Sequence, residues 1–239
     1  MNGAVNAGVS EISVLLRGEP DSLRAWIERW DLRRLLFCVG VIFVGAGLYG
    51  AAMGWWRDPR QGLFVAIKFP LIILSTTLGN GLLNAMLAPL LGLNIGFRQS
   101  LLAILMSFTI AAAILGSFSP LAAFMIWNSP PLSTDVRVSD FSYGFIQLTH
   151  VAVIAFAGVV ANLRLVQLLR QFGGSAGAAR RVLVAWLAGN LFLGSQLSWI
   201  FRPFIGSPGL PVEFLRPTPL KGSFYETVFR SAAGLFKSP

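Results

Sequence analysis

Carboxylates, histidine and cysteine are scarce in this chain of 239 residues, which holds ten Asp and Glu, one histidine and one cysteine. With a single cysteine, an intramolecular disulfide is excluded. Cys38 lies inside an apolar run, where a thiol acts as a small buried hydrophobe rather than a reactive group. With a single histidine, His150, a multi-histidine metal site within one chain is excluded. Charged residues of both signs make up only 12% of the chain, against roughly 25% in soluble globular proteins, too few to cover a water-facing surface. A P-loop, an HExxH motif and a dinucleotide fingerprint are all missing. Ser195 follows His150 in the chain and no GxSG is present, so the intramembrane serine protease pattern fails in both order and motif. The reading is of a non-enzyme with no catalytic residue, no cofactor and no metal site.

Long apolar runs take the place of these groups. Hydrophobic residues make up 55% of the chain and the mean hydropathy is +0.68. Runs of about 20 apolar residues are the length of a transmembrane helix, and they predict an all-α, polytopic membrane bundle of about five spans with amphipathic interfacial helices. The net charge of +9 would suggest nucleic acid in a soluble protein. Here the basic residues stand beside apolar spans, so anionic lipid headgroups are the simpler partner and nucleic acid is not expected.

Three regions follow. Residues 1–34 form an amino-terminal segment without the basic start and unbroken apolar stretch of a cleavable signal. In it Leu23, Trp26, Ile27 and Trp30 recur at helical spacing. They suit an amphipathic helix lying at the headgroup boundary or packed on a neighbouring helix. Residues 35–202 form the transmembrane domain, with spans at about 35–56, 69–91, 101–127, 143–163 and 182–201. Ser119-Pro120 marks a possible break in the third, and a polar loop is expected from Asn128 through Asp140. Residues 203–239 form a Pro- and Gly-rich tail, expected to lie along the surface and to end in a short amphipathic helix from Phe224 to Phe236.

Two patterns within the spans point to helix contacts. Ala46, Gly50 and Gly54 fall at four-residue steps in the first span, where small residues let two backbones approach. Thr76, Asn80 and Asn84 recur every four residues in the second, so they share nearly one face, and hydrocarbon would leave their polar groups unpaired. That stripe is expected to point into the bundle and to meet Gln147, His150 and Asn162 of the fourth span and Asn190 and Gln196 of the fifth. Such contacts are either interhelical hydrogen bonds or the lining of a small polar cavity. His150 is expected to bond a backbone carbonyl or Gln147, and Lys68 to snorkel to the interface. Every carboxylate falls outside the apolar cores, which argues against a simple proton relay.

The basic linker from Arg164 to Arg181 has no compensating acid and is expected to face the cytoplasm together with the amino terminus, in a multi-pass protein of the cell membrane. The amphipathic start, the five closely spaced spans, the short polar loops and the phrase WWRDPRQGLFVAIKFPLIIL resemble the Yip family of membrane proteins in its bacterial branch. The resemblance implies a protein that works through other membrane components and brings no catalytic residues. Binding, organising or stabilising such components is therefore the expected role. The alternative is a transporter or channel subunit for a small neutral solute or lipid, and a membrane-bound enzyme comes third. The partners expected are membrane lipids and either other membrane proteins or further copies of the chain.

Overall fold

The computed structural model describes residues 11–28, 31–92, 95–130, 136–172, 176–206 and 211–226. Every regular element among them is helical: α1 (11–17), α2 (Pro20–Glu28), α3 (Leu32–Trp55), α4 (Pro59–Leu90), α5 (Phe97–Trp127), α6 (Val136–Phe172) and α7 (Ala176–Phe201), with a further helical turn at 224–226. Five of these, α3 to α7, are long and apolar enough to cross a bilayer, so the chain is an all-α, multi-pass membrane bundle. The five run alternately up and down. The beginning of α3, the end of α4, the beginning of α5, the end of α6 and the beginning of α7 therefore share one side, and the tail lies on the other.

Local chemistry sets the helix ends. Asp31 and Asp58, both extended, accept from the backbone N–H of Arg33 and Arg60, and Pro59 stands in the first turn of α4, where its missing N–H costs no bond. Helix α4 thus begins ten residues before the expected span and is 32 residues long, about 48 Å. Helix α5 runs unbroken through Pro120. The proline leaves the Gly116 carbonyl without its helical donor, and the Ser119 hydroxyl donates to that oxygen at 2.7 Å instead. The expected polar loop through Asp140 is also corrected. Helix α6 already begins at Val136, while Asp135 lies outside the described residues.

The amphipathic amino-terminal helix packs on protein. Leu15, Leu23, Trp26 and Ile27 are buried in one core with Leu165, Leu168 and Leu169 of α6 and Leu102 of α5; Trp30 lies outside the described residues. Arg34 ties this cap to α3. Its guanidinium donates to the Trp26 carbonyl at 2.9 Å and stands 5.7 Å above the Trp26 ring, while Trp26 Nε1 donates to Glu11 at 2.7 Å.

Around the bundle the neighbours run α5, α3, α4, α7, with α6 against α5, α4 also touching α5, and only a sparse seam between α6 and α7. The contacts of α3 are backbone contacts. A Cβ at Gly50 would stand 2.7 Å from the Val65 carbonyl oxygen of α4, and one at Gly54 would stand 2.7 Å from that of Gln61. Ala46 is fully buried on the same helix. The expected stripe thus faces α4 at its two glycines, and the partner helix belongs to the same chain. On its other side α3 meets α5 through Gly45 and Gly116, where an added Cβ would run into Ala112 or into the Gly45 backbone. Gly50→Leu is expected to lower the apparent melting temperature in detergent by about 5 °C or more, the scale of an overpacked core. Gly40→Leu, at a point of α3 where an added Cβ meets nothing within 4 Å, is expected to leave it unchanged. Equal behaviour of the two variants would remove the α3–α4 contact from this role.

Candidate functional site: a mixed-polarity cleft at the α6–α7 seam

Thr76, Asn80 and Asn84 are all buried, with Asn80 and Asn84 at 0% exposure. Asn80 is the residue that joins helices. Its Nδ2 donates to the Trp186 carbonyl at 3.2 Å and to Asn190 Oδ1, both on α7. Gly189 leaves the room for it, because a Cβ there would collide with Asn80 Oδ1. Asn84, two turns from Thr76, has no partner for either amide atom among the described residues.

Thr76 opens onto a cleft of about 370 Å³ bounded by α4, α5, α6 and α7. Apolar side chains form most of its wall, among them Phe69, Ile72, Leu115, Ile154, Leu187 and Leu191, and the polar lining comes from Thr76, Ser107, Asn162, Asn190 and Ser198. Thr76 Oγ1 and Asn162 Oδ1 are buried without a hydrogen-bond partner among the described residues, while Asn162 Nδ2 is satisfied by the Gly158 carbonyl of its own helix at 2.8 Å. The cleft lies where the ring of helices closes least well, since α7 is the least enclosed of the five spans. A group of this composition can hold an apolar chain and orient it through a few neutral hydrogen bonds.

Three of the remaining expectations are corrected. Gln147 is exposed on α6 and does not join the stripe, because it lies on the outer flank of the narrow face on which Ile146 and His150 are buried. His150 bonds neither a carbonyl nor Gln147. Its Nδ1 stands 2.8 Å from the Tyr49 hydroxyl of α3, with the two rings edge to face at 5.4 Å, and its Nε2 has no partner. Gln196 is half-buried with Oε1 unpartnered, but it does not line the cleft.

Lys68 does not snorkel into water. It is fully buried, and Nζ donates to the carbonyls of Pro203 at 3.1 Å and Glu213 at 3.4 Å, between the ring faces of Phe64 and Phe214. Gln61, two turns earlier, donates to Pro203 and Phe204 at 2.8 and 2.9 Å. The tail is therefore a strap bound to α4 rather than a surface coil. It also returns along α7. The Tyr225 hydroxyl donates to the Phe192 carbonyl at 3.0 Å and its ring stacks on Phe192 at 5.3 Å. The rest of the expected last helix, beyond 226, lies outside the described residues. Where α7 ends, the Arg202 guanidinium lies 3.2 Å from the ring centre of Trp199. Burial, and then the like charge of Arg216, hold its pKa below the usual value.

No family model, no curated protein and no solved structure matches this chain. Its chemistry has to be read from its own residues. Asn80→Leu takes away the donor that Asn190 Oδ1 has among the described residues and the side-chain donor to the Trp186 carbonyl, and is expected to lower stability in detergent by about 1–2 kcal/mol. Asn84→Leu removes an amide that has no partner to lose, and is expected to be neutral or stabilising. Chemical denaturation of the two purified variants checks this, and a larger loss for Asn84→Leu would refute the assignment.

Proposed function

We propose that this chain is a non-enzymatic integral membrane protein that binds another membrane component in the cleft at the α6–α7 seam. The observation that carries this reading is the cleft itself, with apolar walls and a few neutral polar side chains, two of which, Thr76 and Asn162, have an oxygen without a hydrogen-bond partner among the described residues. A closed structural contact would leave no such volume between four helices, and polar groups used purely as interhelical glue would be paired across it. The residues that gather there carry neutral hydroxyl and amide groups, suited to orienting a ligand rather than to transferring protons or acyl groups. Membership of the bacterial branch of the Yip family belongs to the same proposal. It rests on the arrangement of spans and on the stretch from Trp55 to Leu74, and it agrees in kind with a protein that works through membrane partners.

Gly194 faces the cleft, and an added Cβ there would meet only Thr76 Oγ1, at 3.9 Å. A larger side chain at this position fills the cleft without striking the helix behind it. Gly194→Leu is expected to keep the helical circular dichroism signal and the monodisperse elution of the parent. It should also lose at least about tenfold of the bound mass seen by native mass spectrometry, the effect of filling a site with several apolar atoms. Retention of the same bound species by the folded variant would end the proposal.

The orientation is part of the reading. Arg164, Arg170, Arg180 and Arg181, expected in a loop, lie in the last turns of α6 and the first turns of α7, and these helix ends are proposed to face the cytoplasm together with the amino terminus in the cell membrane. In a Cys38→Ala background, Gly177→Cys is expected to react with an impermeant thiol reagent only after the membrane is opened, and Thr218→Cys to react in intact cells. Both positions are exposed. Labelling of both from one side would contradict the five-span arrangement, and the reverse pattern would invert the orientation.

A further inference from the structure

The wall that α7 gives to the cleft runs from Leu187 through Asn190 and Gly194 to Ser198. One turn beyond Ser198, at the end of α7, stands Arg202. This arginine has a fixed plane and unused donors. It is stacked on Trp199, and its Nε and Nη1 are buried without a hydrogen-bond partner. Other cations surround the same stretch of chain. Lys68 holds the Pro203 carbonyl, Arg57 packs where a Cβ of Gly206 would lie, and Arg216 lies within electrostatic range of Arg202. Two acids border this stretch: Glu213, whose carbonyl shares Lys68 Nζ with that of Pro203, and Glu226, which lies against Gly222 near the edge of Trp199; neither is an ion-pair partner of Arg202 among the described residues, where Nε and Nη1 stay unpartnered.

We infer that the component bound in the cleft is a phosphate-bearing lipid, with an acyl chain along the α6–α7 seam and the phosphate on Arg202. The inference rests on the cleft being the binding site. Three features of the molecule meet in it. The guanidinium has two unpartnered nitrogens, Nε and Nη1, on different edges of its plane, each able to give one charge-assisted hydrogen bond to a phosphate oxygen. The end of a membrane-spanning helix is the depth of the headgroup phosphates. A chain leaving that phosphate would run down the bilayer past Ser198, whose hydroxyl lies at the depth of a glycerol ester, and between the apolar walls at Leu191 and Leu187. The phosphate could equally come from solution, and the acyl chain is what tells the sources apart.

The test uses the full chain, purified and stripped of lipid in detergent, with three probes: dioleoyl phosphatidylglycerol, dioleoylglycerol, which has the chains without phosphate, and inorganic phosphate. Phosphatidylglycerol is expected to raise the apparent melting temperature and to appear as a discrete bound species in native mass spectrometry, with dioleoylglycerol at least about tenfold weaker, the scale of a lost charge-assisted hydrogen bond. Arg202→Gln should bring phosphatidylglycerol down to the level of dioleoylglycerol and leave dioleoylglycerol itself unaffected, and Arg202→Lys should recover part of the difference. Gly194→Leu should weaken both lipids together. Equal binding of the two lipids by the parent, or unchanged phosphatidylglycerol binding by a folded Arg202→Gln, overturns the phosphate assignment and leaves the cleft standing. A full shift from inorganic phosphate alone, with no gain from the chains, overturns the lipid in favour of a free anion. Phosphatidylglycerol binding that Gly194→Leu does not touch overturns the cleft as its seat.

Discussion

Apolar surface gains little by moving from lipid to protein inside a bilayer, so a membrane bundle depends on how closely its backbones can approach. In this chain the approach is concentrated on α3. Gly50 and Gly54 bring it against the carbonyls of Val65 and Gln61 on one side, and Gly45 meets Gly116 on the other. Helices α4 and α5 are thereby held to a common axis and can touch each other as well. The stability of the central three helices then comes from dispersion between closely set main chains and from weak Cα–H···O contacts, each small and together continuous along the helix. Leu36, Val44 and Leu48 of α3 stay exposed and face lipid without penalty.

Helices α6 and α7 are attached by other means, and this difference makes the cleft. Among the described residues, Gly144 and Gly158 of α6 and Gly189 and Gly194 of α7 make no close glycine-to-backbone contact between these two helices. Helix α7 is pinned to α4 through Asn80, which reaches a backbone carbonyl and a side-chain amide over the notch at Gly189. Helix α6 packs along α5, is tied to α3 at the Tyr49–His150 pair and meets the amino-terminal cap around Leu165 and Leu169. Two helices fixed to a common core by separate polar anchors need not close on each other. Such a seam stays open to the bilayer at little cost, because lipid can fill it, whereas in water the same gap would collapse.

The five spans and the small-residue stripe were legible because both are periodic. A run of apolar residues has a length, and Ala46, Gly50 and Gly54 have a spacing that only one helical face can present. Thr76, Asn80 and Asn84 were legible as a stripe for the same reason. Their partners were not, since an amide bonds to any carbonyl, and the choice between Gln147 and Asn190 turns on how α6 and α7 are rotated. The Gly45–Gly116 contact is one residue on each helix and carries no repeat that a sequence could display. The start of α6 was hidden by Arg137 and Asp140, whose charges read as a loop although a helix can project several turns beyond the hydrocarbon. The strap on Lys68 left no mark either, because its acceptors are main-chain oxygens, common to every residue.

That strap bears on the topology of the whole chain. An ammonium within a membrane helix is retained only where its donors are met, and Lys68 stands in the first third of α4, near the side on which α3 ends. Its acceptors, Pro203 and Glu213, belong to the segment that follows α7. For the two to meet, the tail must emerge on the side where α4 begins, which requires α4, α5, α6 and α7 to make an even number of crossings. A re-entrant α4 or α5 would leave three crossings and deliver the tail to the opposite surface, about 30 Å away. The Lys68 contact therefore excludes either of these turning back alone. It also ties the first turns of α4 to the tail just beyond α7, with Gln61 and Lys68 both holding main-chain carbonyls of that segment.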